Sequence, residues 1–80
     1  MKHYVLVLDW ATNYEEDVNI IGVFHTLEDA ERLYKETLSN ERKLAEEKGY
    51  EVETDDNVCF TAYEEGNYMT EHTRLYIQEV

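Results

Sequence analysis

The chain has 80 residues, enough for one small domain with a modest core and little stability to spare. Its apolar share, 42%, is too high for a disordered acidic tail. Nineteen acids against seven bases leave a net charge of −12, which repels nucleic acid and anionic membranes and favours a basic macromolecular partner. The acids are mostly Glu mixed with ordinary Lys and Arg, which argues against a halophile surface. No apolar run is long enough for a membrane span, and the few apolar residues between Lys2 and Asp9 do not make a signal peptide. The single cysteine, Cys59, fits a reducing cytoplasm and reads as a small buried apolar residue rather than a reactive thiol.

Residues 3–10 are β-branched, aromatic and apolar without a turn residue, which predicts a strand. Tyr4, Leu6, Leu8 and Trp10 then point one way, and His3, Val5, Val7 and Asp9 the other. Residues 17–25 form a second strand, with Val18, Ile20, Gly22 and Phe24 alternating against Asn19, Ile21, Val23 and His25. The polar segment between them suits an exposed hairpin tip. Thr26 is an N-cap, with Glu28 and Asp29 in the first turn of a helix. Leu27, Ala30, Leu33, Tyr34, Leu38, Leu44 and Ala45 recur at helical spacing, and Gly49 is the stop. Glu28–Arg32, Glu31–Lys35, Arg42–Glu46 and Lys43–Glu47 are i,i+4 pairs on its surface, and Ser39-Asn40 is a point for a kink.

Beyond Gly49 the period returns to two. Residues 51–54 are at most a short strand, 58–64 a full one, Gly66-Asn67 a turn, and 72–80 a closing strand with Leu75 and Ile77 on one face. The expected fold is α+β: an antiparallel sheet in β-β-α-β-β order with one long helix on one face, a single domain over 1–80. One helix covers only one sheet face. Val5, Val7, Ile21 and Val23 are left on the other, and a second copy of the chain is the simplest cover. A homodimer through those four residues is expected.

The charge is unevenly placed. Residues 27–48 hold seven acids and five bases, a net of −2; the rest holds twelve acids and only Lys2 and Arg74, a net of −10. Glu15-Glu16-Asp17, Glu51-Glu53-Asp55-Asp56 and Glu64-Glu65-Glu71 form three acidic clusters without a basic residue among them. Carboxylates at successive strand ends can line up like duplex phosphates and occupy a groove whose Lys and Arg grip DNA. Tyr14, Tyr50, Tyr63 and Tyr68 stand beside the acids and offer flat, amphipathic contact area.

In size, acidity, cytosolic character and mixed β-α-β build, the whole chain resembles the small acidic DNA-mimic inhibitors that lytic phages make early in infection. Those that inhibit the bacterial nucleoid protein HU are the nearest in character; phage inhibitors of uracil-DNA glycosylase, restriction enzymes and CRISPR effectors share the look. The resemblance implies a cytoplasmic host-takeover protein that blocks a basic DNA-binding protein without binding nucleic acid itself. The sites follow from this sequence alone: the ten acids of the three clusters with Tyr14, Tyr63 and Tyr68. The alternative is an oligomeric interaction module whose acidity serves only solubility.

Catalysis is not expected. There is no nucleophile elbow, P-loop or dinucleotide fingerprint, and paired glutamates on a loop lack the deep cleft a glycosidase needs. No cofactor or metal is expected either: His3, His25 and His72 lack zinc-site spacing, although His3 and His25 approach one another on adjacent strands, and residues 53–57 lack a calcium loop's central Gly and closing Glu.

Overall fold

The structure is a computed structural model that describes residues 2–67 and 70–80. Strands β1 (Tyr4–Ala11) and β2 (Glu16–Phe24) form a hairpin, α1 (Leu27–Lys48) follows, and β3 (Glu51–Asp55), β4 (Cys59–Tyr63) and β5 (His72–Glu79) complete an antiparallel sheet. The sheet order is β2-β1-β5-β4-β3. The fold is α+β as expected, but three strands follow the helix rather than two. Residues 51–55 form an edge strand, paired through Val52↔Ala62 and Asp55↔Phe60. Val52 is its only apolar residue, so the sequence carried little strand signal there; backbone pairing to β4 supplies what the pattern does not.

The helix packs on the face that carries Leu6, Phe60, Ala62 and Leu75, against Tyr34, Leu38 and Ala45. Phe24, Leu33, Leu8, Tyr50 and Ile77 close the margin of this core. Each large side chain buried here contributes about 1.5–3 kcal/mol relative to exposure. Asp29 N–H donates to Thr26 Oγ1 (3.2 Å), which makes Thr26 the N-cap. The helix runs through Ser39-Asn40 unbroken; Leu38 and Ala45, buried on either side, hold its register. At its end Gly49 takes φ 72°, Gly49 N–H donates to Glu46 O (3.1 Å) and Tyr50 N–H to Ala45 O (2.9 Å), which seats Tyr50 against the core.

Among the described residues, none of the expected i,i+4 pairs closes to ion-pair distance. Arg32 turns back to Asp29 (3.3 Å), and Arg42 reaches across to β3, its Nε donating to Asp55 Oδ2 at 3.0 Å. Arg's planar fork fits one carboxylate held in place better than a flexible neighbour on the same helix.

A bulge in the β1–β2 ladder changes which residues face away from the helix. Leu6 pairs with Gly22 and Val7 with Ile20, so Ile21 is the extra residue. Cross-strand partners share a face; Gly22 stays beneath the helix with Leu6, while Ile20 and Val18 move to the open face beside Val7 and Asp9. Strict alternation had set Val18 and Ile20 against Val23; the bulge unites them. Val18, Ile20 and Val23 are 60%, 67% and 59% exposed, whereas Val7 lies beneath its neighbours at 6%. Of the four residues expected at a dimer interface, Val5, Val7 and Val23 stand on this face and Ile21 occupies the bulge.

Candidate partner-binding surface

The antiparallel order brings the C-terminal ends of β1 and β4 and the N-terminal ends of β2, β3 and β5 to one end of the sheet. One row of cross-strand partners spans that end: Glu16↔Ala11, Ala11↔His72, His72↔Tyr63 and Tyr63↔Glu51. The loops beyond it carry the remaining acids. Glu15 lies at the β1–β2 tip with Asp17 just inside β2, Glu64, Glu65 and Glu71 lie in the β4–β5 connection, and Glu53 follows Glu51 on β3. Eight of the ten predicted acids thus converge although 56 positions separate the first from the last.

The other two do not. Asp55 and Asp56 lie at the opposite end, because β3 runs its full length between Glu51 and Asp55. Asp55 holds Arg42, and Asp56 Oδ1 accepts the Val58 and Cys59 N–H groups (2.9 and 2.8 Å), closing the β3–β4 turn. Asp56's backbone oxygen also accepts from the Tyr34 hydroxyl (3.0 Å). Both are thus engaged within the chain and stand apart from the other eight.

Glu71 fastens the acidic end. Its Oε2 accepts the Asn13 N–H (2.6 Å) and its Oε1 accepts the Tyr50 hydroxyl (2.7 Å), so one side chain ties the β1–β2 tip to the helix C-terminus. The Tyr50 bond, then the Asn13 bond, hold its carboxyl below the usual range. The Tyr50 phenol is pushed up, first by burial and then by Glu71. Glu71 therefore braces the surface while its carboxylate keeps its charge. Residue spacing offers no sign of this role, since both partners are distant in sequence.

Within the tip, the Thr12 N–H donates to Glu15 O (2.7 Å), and Thr12 Oγ1 accepts the Glu15 N–H (3.2 Å). Glu15 is thereby carried on an ordered turn, with Tyr14 97% exposed at its crest. Tyr63 is half-buried on the open face, where the charge of Glu51 opposite it holds its phenol up. Tyr68 lies outside the described residues. In the loop, Asn67 N–H donates to Glu64 O (2.9 Å) around Gly66 at φ 84°.

Bases are scarce at this end. Lys2 is paired with Glu79 at the far end (2.9 Å), and Arg74 stacks over Tyr76 (4.7 Å). Lys48, in the last helical turn, lies over the Tyr50 ring (5.4 Å). On the open face, His72 Nε2 meets Asp9 Oδ1 (3.3 Å). Cys59 is half-buried rather than buried, with Sγ 3.8 Å from Thr61 Oγ1. The His3 and His25 rings do approach, to 5.1 Å between centroids. Among the described residues no three His, Cys, Asp or Glu side chains gather as a metal site needs, and no helix is long and apolar enough to cross a membrane.

No family model, curated protein or solved structure matches this chain.

Proposed function

We propose that the protein is an acidic DNA mimic that binds and blocks the DNA-binding surface of a basic bacterial protein, nucleoid protein HU or one similar, in the cytoplasm of a phage-infected cell. The observation that carries this reading is the convergence of Glu15, Glu16, Asp17, Glu51, Glu53, Glu64, Glu65 and Glu71 at one sheet end. Five strands about 4.8 Å apart make that end roughly 19 Å wide, or about one carboxylate per 2.4 Å of width, against one phosphate per about 1.7 Å of duplex axis. The charges ride on hydrogen-bonded turns, so little ordering is needed on binding. No catalytic step, cofactor or metal enters this reading.

The open face supports a homodimer. Its exposed Val18, Ile20 and Val23 are ringed by Val5, Val7 and Tyr76. This apolar area runs along β2 from Val18, two residues inside Glu16, to Val23 near the opposite end.

The test is competition. HU titrated with this protein should release bound duplex DNA, and the two should never occupy HU together. A ternary complex of HU, duplex and this protein would refute mimicry and favour the alternative, an assembly module that works through its open apolar face.

A further inference from the structure

We infer that the acidic end contains a specific seat for one arginine side chain of the partner, in the cleft between β1 and the C-terminal half of α1. This inference rests on the reading of a basic protein partner and names the group that partner inserts.

The cleft exists because the helix runs from one sheet edge to the other. It starts beside Phe24 at the end of β2 and finishes beside Glu51 at the start of β3, over the opposite edge. The result is a cleft of about 190 Å³ with Leu8, Trp10 and Thr73 from the sheet, Leu44 and Glu41 from the helix, and Tyr50 at its end.

Glu41 gives the cleft its chemistry. Its Oε1 accepts the Thr73 hydroxyl (2.7 Å), which holds the carboxylate of a half-buried residue beside Leu8, Trp10 and Leu44. No basic group stands within ion-pair distance of it among the described residues. Of the two basic residues lining the cleft, Lys48 lies against the Tyr50 ring and His72 turns its Nε2 to Asp9 Oδ1 (3.3 Å). A carboxylate held in place by Thr73 and facing a cleft without a paired cation offers a ready acceptor to a cation brought in by a partner.

An arginine suits both halves of this site. Its stem lies along Leu8 and Leu44, its planar guanidinium stacks on an aromatic ring, and its fork of donors meets a carboxylate. Asp17, the cross-strand neighbour of Trp10, and Glu71 at Tyr50 make the surroundings negative, which complements a basic partner. A lysine matches the charge but neither the plane nor the fork.

Trp10 is the only tryptophan and lines the cleft, so its emission reports occupancy. The probes are two fluorophore-tagged Lys-Gly peptides with one central Arg, or citrulline in its place. Tag anisotropy should show the Arg peptide binding at least about tenfold tighter, the size of a charge-assisted hydrogen bond, and only that peptide should shift Trp10 emission at saturation. Glu41→Gln, whose amide oxygen can still accept from Thr73, should close the gap between the peptides. Glu64→Gln, which removes the same charge elsewhere, should weaken both and leave the gap. Equal binding of the two peptides, or a Trp10 signal that stays fixed while anisotropy rises, overturns the arginine seat but leaves the acidic surface standing. Absence of binding by either peptide at low salt overturns the acidic-surface reading as well.

Discussion

Neutralising Glu15, Glu16, Glu64 and Glu65 together to Gln tests the proposed function most directly. These four lie on the two connections flanking Ala11 and Tyr63, with Glu16 at the start of β2, and none forms an ion pair among the described residues. Gln keeps the shape, so the change removes half of the eight converging charges and little else. Exposed ion pairs are worth about 0.2–1 kcal/mol each, so four of them should cost between about fourfold and about a thousandfold in affinity. Low salt should give the upper part of that range, because at about 0.1 M the Debye length has shrunk to about 10 Å. The plot of log affinity against log salt should flatten by up to four charges' worth. Folding should not suffer: the Glu15 contacts in the tip use its backbone, and fewer like charges lower self-repulsion. The assay is calorimetric titration of HU with wild type and variant at several salt concentrations, alongside thermal melts of both. Equal affinities at low salt would falsify the mimic reading. A variant that melts far below wild type would show that these carboxylates hold the fold.

Four further outcomes are expected. Charge reversal at Glu31 or Glu36, on the mixed-sign helix surface, should leave HU binding within about twofold; a large loss would move the site onto the helix. Ile20→Lys should convert a dimer into a monomer by sedimentation at micromolar concentration, and a monomeric wild type would refute the interface. Because the Glu71 carboxyl is held below its usual range, its tie to Asn13 and Tyr50 is fully present above the ordinary carboxylate pKa of about 4.3 and is lost as pH falls through the lower folded value. Asn13 amide exchange should therefore accelerate in acid, and Glu71→Gln should already show faster exchange at neutral pH. Tyr34→Phe should cost about 0.5–1.5 kcal/mol in urea unfolding by leaving the Asp56 carbonyl without its donor; a cost near zero would mean water replaces the hydroxyl.

Much of the fold could be read from local pattern. Thr26, Gly49 and the spacing from Ala30 to Ala45 marked the helix, and the alternation of Leu6 and Leu8 marked the buried face of β1. What escaped depended on distant partners. The bulge at Ile21 arises in the pairing of β1 with β2, and neither strand's own period announces it. Strand β3 owes its existence to β4 and to Arg42 reaching Asp55. The same split runs through the candidate surface: charge asymmetry pointed to the loops, but only strand lengths decide that Glu51 stands at the acidic end and Asp55 at the other. Tyr50 looked like a contact residue and is instead the C-terminal seal of the helix and the donor to Glu71.

Strand β5 is last in sequence and central in space. Within the sheet, the hairpin β1–β2 and the pair β3–β4 are joined through β5 alone, which pairs Leu8 with Leu75 on one side and Phe60 with Leu75 on the other. Two half-sheets must therefore wait, each with an unpaired edge, until residues 72–79 leave the ribosome and slot between them. Such late, non-local closure slows folding, and until it happens β1 and β4 are templates for pairing with other chains. A nascent chain stalled before His72 should be sensitive to protease throughout and prone to aggregate, and a peptide of β5 supplied in trans should rescue it. The acidic end cannot exist before that moment either, because its row of cross-strand partners passes through β5 at His72.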